Sequence, residues 1–280
     1  MTGAAIRSAA LGRVRHRIAA IRSAALGRLR YRIAAIRSAV LGHLRDRGIQ
    51  VKRMPPVLIQ RPDEVILDLT LEHVVALHML APAPDFFFVQ IGAFDGVTED
   101  PLHDFIVRHE WSGLLVEPQE RYFQALCATY ADRPRLMLRN VAVGERDEIR
   151  PFYRVVGPGI PEWTAQLASF DTAIILRHED AETQLRGHLV CEQVQSVSFE
   201  SLLGEVDHVD LLQIDAEGYD ATLIELFDFA RWQPSIVQFE HRHLSLHKHD
   251  AAMRRLIQHG YRVAVARFDT VAYRDRRDRR

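Results

Sequence analysis

Cysteine is almost absent from this 280-residue chain: Cys127 and Cys191 are the whole complement. Two thiols make neither a disulfide framework nor the spacing of a structural zinc site, which points to a reducing, cytoplasmic compartment. No apolar run reaches the roughly 18–20 residues that a membrane span needs. The first 50 residues carry arginine too regularly to hold the apolar core of a secretory signal. Residues 1–47 contain no lysine and a single acid, Asp46, against 11 arginines, so this stretch carries +10 and the remainder −11 for a total of −1. A basic arm and an acidic body are therefore two different objects.

The arm is a triple repeat: AAIRSAALGRVRHRI at 4–18, AAIRSAALGRLRYRI at 19–33 and AAIRSAVLGHLRDRG at 34–48. Ile6, Ala10, Val14, Ile18 and Ile21 open an apolar stripe with helical spacing that continues to Leu44. Gly12, Gly27 and Gly42 each cost such a helix roughly 1 kcal/mol relative to alanine. A membrane-surface helix drawn to anionic lipid, including peripheral contact at an inner membrane face, or a self-association helix both suit residues 1–48. The plainer alternative is tandem duplication of a short leader. Nothing in the acidic body supports a nucleic-acid partner. Residues 49–84 read as a Pro-containing linker and a short helix at 65–80.

From residue 85 the pattern alternates strand and helix. Apolar strands are expected at 86–91, 113–117, 135–143, 209–215 and 235–241, with a closing pair at 261–274. Helices are expected at 101–111 (Pro101 in the first turn), 119–130, 220–229 and 250–260. Residues 144–200 look like an inserted hairpin and cap. Near-continuous apolar strands separated by helices imply an α/β fold whose mostly parallel sheet is covered on both faces.

In such sheets the ligand lies over the carboxyl ends of the strands. The first strand runs into a loop with Gly92 and Gly96, in G-x-x-x-G spacing. Neither the dinucleotide fingerprint G-x-G-x-x-G nor the phosphate loop G-x-x-x-x-G-K-[ST] is there. Asp95, Glu99 and Asp100 would repel a pyrophosphate, and the loop has no lysine or arginine to offset them. S-adenosylmethionine, with a cationic sulfonium and ammonium and a neutral adenosine, answers that charge. Glu117 ends the second strand, where an acid can accept hydrogen bonds from both ribose hydroxyls. Asn140 and Ala142 stand where they could frame the adenine edge.

The blocks FFFVQIGAFDGVTEDPL, GLLVEPQERYFQAL, LRNVAVGERDE, LASFD, VDLLQIDAEGYDATLI and PSIVQFEH, in that order, resemble the FkbM family of S-adenosylmethionine-dependent methyltransferases. The resemblance covers about residues 85–245. It implies the class I methyltransferase fold, a Rossmann-like, seven-stranded sheet with one antiparallel strand, over a domain taken as 85–280. It also implies methyl transfer to a hydroxyl of a sugar, glycan or secondary metabolite. The candidate cofactor residues are then Gln90, Gly92, Ala93, Asp95, Gly96, Glu117, Asn140, Ala142 and Asp215. Phe94 departs from the pattern, since many relatives carry Asn there. The arm lies outside the resemblance.

A hydroxyl nucleophile needs its proton removed as the methyl arrives in line, so candidate bases belong at strand ends. Asp215, Glu240 and His241 are the candidates, with Asp215 alternatively holding the cofactor's ammonium. Glu217 could cap the helix that follows it. His241, His243, His247 and His249 form a dense group, but no tight carboxylate constellation accompanies all four, and no metal is expected. The alternative function is a non-catalytic, methyltransferase-like scaffold tethered through the arm.

Overall fold

The computed structural model describes residues 70–79, 85–179 and 183–274. The chain divides into a unit of residues Met1–Arg53 and a unit of Met54–Arg280, and every element below belongs to the second. The expectations for the basic arm at 1–48 fall outside the described residues.

Strands β1 (Phe87–Ile91), β2 (Ser112–Val116), β3 (Leu136–Arg139), β8 (Leu211–Ile214), β9 (Ile236–Glu240), β10 (Arg262–Val265) and β11 (Asp269–Tyr273) form a seven-stranded sheet in the order β10-β11-β9-β8-β1-β2-β3. Pairings from β9 through β3 are parallel, whereas β11 runs antiparallel to both β9 and β10. This is the mostly parallel sheet, with one strand reversed, that the resemblance implied.

Both faces of the sheet are buried because side chains alternate along each strand. Val89 and Ile91 of β1 pack with Leu114, Val116, Leu212 and Ile214 under helices α6 (Asp220–Leu226) and α7 (Leu246–Gln258). Phe88 points to the opposite face, where Leu115, Leu211 and Ile236 meet Leu71, Val74 and Val75 of α1 (Leu71–Met79) and Ile106 of α2 (His103–His109). Leu126 of α3 (Glu120–Thr129) completes that layer. Phe88, Leu114, Leu115 and Leu212 are fully buried, and each such side chain contributes roughly 1.5–3 kcal/mol.

Several boundaries differ from expectation. The run at 135–143 is two strands: β3 belongs to the main sheet, and β4 (Ala142–Val143) joins a second, four-stranded sheet. Polar Arg139 and Asn140 mark the crossing. The second sheet, ordered β4-β7-β5-β6, is built on an antiparallel hairpin of β5 (Glu148–Val155) and β7 (Leu189–Val197), with β6 (Ala168–Ser169) and a short helix α4 (Thr172–Ile175) between them. Pro101 precedes α2, whose N-cap is Leu102, rather than sitting in its first turn. α7 begins at Leu246, because the Ser245 side chain accepts a hydrogen bond from the Lys248 N–H and caps it. His247 and His249 are therefore helical rather than in a loop. The remaining helix, α5 (Phe199–Leu203), leads into β8.

Candidate functional site

A cleft of about 400 Å³ opens over the carboxyl ends of β1, β2, β8 and β9, within the size range of small-molecule sites. The second sheet roofs it through Phe152, Ala168, Ser169 and Phe170. Phe170 meets Phe152 and Tyr219 edge-on at 5.2 and 5.4 Å between ring centroids, which gives the roof an aromatic lining.

The first wall depends on a close backbone approach. Gly92 has φ +82°, and a Cβ there would overlap the carbonyl of Asp215. The Gly92 and Ala93 N–H groups both donate to the Val116 carbonyl, at 2.9 and 3.0 Å, and the Asp215 N–H donates to Ile91 at 2.9 Å. The β1, β2 and β8 ends are thereby sewn into one rim. Phe94 takes φ +48°, a left-handed conformation that asparagine tolerates better than phenylalanine. Its ring compensates by stacking on Tyr122 at 3.9 Å.

Glu117 is only 3% exposed. One carboxylate oxygen accepts from the Phe94 N–H at 3.0 Å and the other from the Gln119 N–H at 2.8 Å. Burial nonetheless pushes its pKa up to about 7, with the Asp215 charge adding to the rise against those two bonds. Asp215 keeps exposed surface on the cleft while protein packs closely around it. Burial and then the Asp269 charge raise its pKa to about 6.

The cleft is acidic. Glu99, Asp100, Glu117, Asp215, Glu217, Glu240 and Asp269 line it, against one guanidinium among the described residues, that of Arg242. Its floor is a row of buried glutamines. Gln90, Gln213 and Gln238 stand side by side across β1, β8 and β9. The Oε1 atom of each is buried without a hydrogen-bond partner among the described residues. Unpaired acceptors and carboxylates together fit a ligand rich in donors and positive charge.

Most of the expected cofactor residues reach this cleft: Gln90, Gly92, Ala93, Glu117, Ala142 and Asp215 all line it. Three act elsewhere. Asp95 does not line the cleft, because its carboxylate closes its own turn by accepting from the Val97 and Thr98 N–H groups and the Thr98 hydroxyl. Gly96 packs under Tyr130, whose hydroxyl donates to its carbonyl at 3.0 Å. Asn140 donates from Nδ2 to the Glu117 carbonyl at 2.9 Å, so it braces the acid's loop instead of framing a base.

Among the candidate bases, Asp215 and Glu240 line the cleft, and His241 does not. His241 alternates with Glu240 along the chain and turns to the other side. There it stacks on His249 at 4.3 Å and shares the Thr270 hydroxyl with it. Burial holds His241 down to about 4 and His249 down to about 3. His243, one turn later, instead points at Glu217 and Glu240. Glu217 does not cap α6: Asp220 fills that space, accepting from the Ala216 and Gly218 N–H groups. Burial pushes Asp220 up to about 8. Arg242, Asp269 and the glutamines Gln213 and Gln238 were not singled out from the sequence, and Glu99 was named there only for the charge of its loop.

These shifts have a measurable consequence. The lowered histidines, half-protonated at about pH 6.5 when unfolded, are neutral in both states only above about pH 7.5, and from there the raised acids dominate. The folded state holds protons on Glu117 and Asp220 that the unfolded chain has released. That contribution is present at low pH and is lost as pH rises through the folded values. The ligand-free protein is expected to lose about 1 kcal/mol, or roughly 2–4 °C in Tm, between pH 7.5 and 9.5. Thermal melts across that window check it, and a rising Tm contradicts the burial of these acids.

A model of the methyltransferase FkbM domain matches residues 90–263, from the first glutamine of the floor to β10. No curated protein sequence matches the chain. Among solved structures, a methyltransferase FkbM from Methylobacillus flagellatus KT aligns at 12% identity with a TM-score of 0.42, covering 68% of this chain and 43% of its own. The chain thus spans under half the length of that protein. A precorrin-6y C5,15-methyltransferase from Geobacter metallireducens GS-15 aligns at 14% identity with a TM-score of 0.38, covering 75% of this chain and 93% of its own. A fibrillarin/NOP5P complex aligns at 11% identity with a TM-score of 0.36, covering 72% of this chain and 80% of its own.

Proposed function

The chain belongs to the FkbM methyltransferase family, and we propose that it moves a methyl group from S-adenosylmethionine to a hydroxyl oxygen of a sugar, glycan or secondary-metabolite acceptor. The observation that carries this reading is the charge of the cleft, where acids outnumber the single arginine and unpaired glutamine oxygens form the floor. A sulfonium and an ammonium satisfy such a wall, whereas a pyrophosphate is repelled.

Glu117 closes β2 with its carboxylate held by two backbone N–H groups, and each oxygen retains a lone pair for a ribose hydroxyl. The bound cofactor supplies an electrophilic methyl carbon. Asp215, on the cleft surface with a raised pKa, takes the hydroxyl proton; Glu240 is the second candidate base. The aromatic roof and the second sheet hold the acceptor over the strand ends and exclude water.

Calorimetric titration of the full chain with S-adenosylmethionine, S-adenosylhomocysteine and NAD tests this reading. S-Adenosylmethionine is expected to bind and NAD is not. Glu99→Gln removes a carboxylate that faces the cleft, so it weakens S-adenosylmethionine roughly three- to tenfold and leaves S-adenosylhomocysteine, which lacks the sulfonium, nearly unchanged. Asp95→Asn shows no such selectivity, because that carboxylate is engaged in its own turn. Preference for NAD, or equal loss of both ligands in Glu99→Gln, contradicts the electrostatic argument. Mass spectrometry for a gain of one methyl across a panel of glycans and metabolites identifies the acceptor.

A further inference from the structure

Four side chains from segments far apart in sequence converge at one end of the cleft. Glu217 comes from the loop after β8, Glu240 from the end of β9, His243 from the turn before α7, and His178 from the inserted segment. The His243 Nε2 lies 3.5 Å from Glu217 Oε2 and 3.4 Å from Glu240 Oε2. The donor atoms of His178, Glu217 and His243 all lie within 4.8 Å of one another. The His178 and His243 rings are 4.8 Å apart.

These separations are too long for hydrogen bonds. Glu217 Oε2, Glu240 Oε2 and His178 Nε2 are each buried without a hydrogen-bond partner among the described residues, and the His243 side chain is only 8% exposed. Orphaned polar atoms gathered this closely around His243 are costly unless something sits between them. A tetrahedral ion with nitrogen and oxygen ligands at about 2.1 Å holds those atoms about 3.4 Å apart. Both contacts of His243 already have that length.

The backbone is arranged to make this convergence. Glu217 takes φ +46°. Gly218 follows at φ +86°, where a Cβ would lie 2.8 Å from Ile174 and 3.3 Å from His243. The loop can therefore press against both histidine-bearing segments. Arg177 ties those segments together by donating to the His243 carbonyl at 2.9 Å.

We propose that His178, Glu217 and His243 form a binding site for a divalent transition-metal ion, with Glu240 at its edge. Two imidazoles and a carboxylate suit zinc, manganese, iron or cobalt, and suit magnesium poorly, since it prefers an octahedral shell of oxygens and retains its waters. No metal was expected from the sequence, since no tight carboxylate constellation accompanies His241, His243, His247 and His249 together. Only His243 of that group takes part, and His178 arrives from a segment more than 60 positions earlier. Glu217 and Glu240 also line the cleft, so an ion here faces the acceptor and can lower the pKa of a bound hydroxyl. That catalytic use rests on the methyl-transfer reading; binding of the ion does not.

The test uses tag-free full-length protein stripped with a chelator and titrated calorimetrically with zinc, manganese, cobalt and magnesium, without S-adenosylmethionine. One equivalent of cobalt or zinc is expected to bind, with the visible absorption of four- or five-coordinate cobalt, and magnesium is expected to bind far more weakly. His178→Ala and His243→Ala each weaken binding at least about tenfold, while S-adenosylmethionine affinity is unchanged. Glu217→Gln, which keeps the side chain's shape, gives the same loss if an alanine variant fails to fold. No binding, or binding that His178→Ala, His243→Ala and Glu217→Gln all retain, overturns the proposal and leaves a proton-sharing cluster. Normal S-adenosylmethionine binding beside absent metal binding sinks only the metal site; the reverse sinks only the methyl-transfer reading.

Discussion

Replacing Gly92 by alanine is expected to destabilise the domain by about 3 kcal/mol and to abolish binding of S-adenosylmethionine. Two separate costs combine. The residue sits at φ +82°, where a side chain costs of order 1–3 kcal/mol. The added methyl also overlaps the backbone carbonyl of Asp215, and overpacking adds typically 1–3 kcal/mol. Neither partner can retreat, because the loop donates twice to Val116 and the Asp215 N–H is bonded to Ile91. Pushing the β1 and β8 ends apart moves Asp215 and the cofactor wall together. Gly260→Ala is the control: it has φ +84° with nothing within 4 Å, so it carries the conformational cost alone. Calorimetric melts should show Gly92→Ala lower in Tm by roughly 6–12 °C and Gly260→Ala by much less. Equal shifts would mean that the close approach does not matter.

The parallel sheet was legible because both its faces are covered, which makes each strand a nearly unbroken apolar run. The misreading at 135–143 has the same origin. An apolar run says that a strand is buried, not which sheet buries it, and the chain leaves β3 at Arg139 to join the second sheet at Ala142. Asn140, at that crossing, gains its role from the Glu117 and Pro118 carbonyls, which only the folded chain brings near. The start of α7 did carry a signal: Ser245, three residues before Lys248, is an ordinary N-cap.

At the site, the strand-end rule located Gly92, Glu117, Asp215 and Glu240, since each ends or follows an apolar run. Residue type and spacing could not say which acid of the first loop meets the ligand. Asp95 folds back on Thr98 and Glu99 faces the cleft, a choice made by local turn geometry. The glutamine floor had an unused signal. FVQIG, LLQID and IVQFE place a glutamine two positions before Gly92, Asp215 and Glu240, so period-two alternation in parallel strands puts all three on one side of the sheet. A polar residue repeated at the same place in buried strands is itself a sign of a ligand. His178 had no comparable signal, because its place depends on how the inserted segment folds back over β8 and β9.

Asp215→Asn is expected to lower kcat by roughly 10²–10⁴-fold while leaving cofactor affinity nearly intact. The substitution keeps shape and removes basicity, so it acts only where a proton is taken, in the transition state. In the unsubstituted enzyme, the base must be deprotonated. Its pKa, raised to about 6 by burial and by Asp269, therefore predicts activity that falls below about pH 6 and levels off above it. The cationic cofactor favours the carboxylate and moves this limb to lower pH in kcat than in kcat/KM for the cofactor. Asp215→Asn should lose the limb along with the rate. Glu117→Ala supplies the contrast. Hydrogen bonds to a charged group contribute roughly 1.5–3 kcal/mol, and ribose contacts do not change as the methyl moves. Cofactor KM should therefore rise at least about tenfold with kcat little altered. Cofactor calorimetry paired with single-turnover rates on an identified acceptor separates the two residues. If Asp215→Asn instead destroys cofactor affinity and the acid limb persists, Asp215 holds the ammonium. Glu240, the other candidate base on the cleft wall, then takes the proton, once the bound cation has drawn it down from the value of about 10 to which burial raises it.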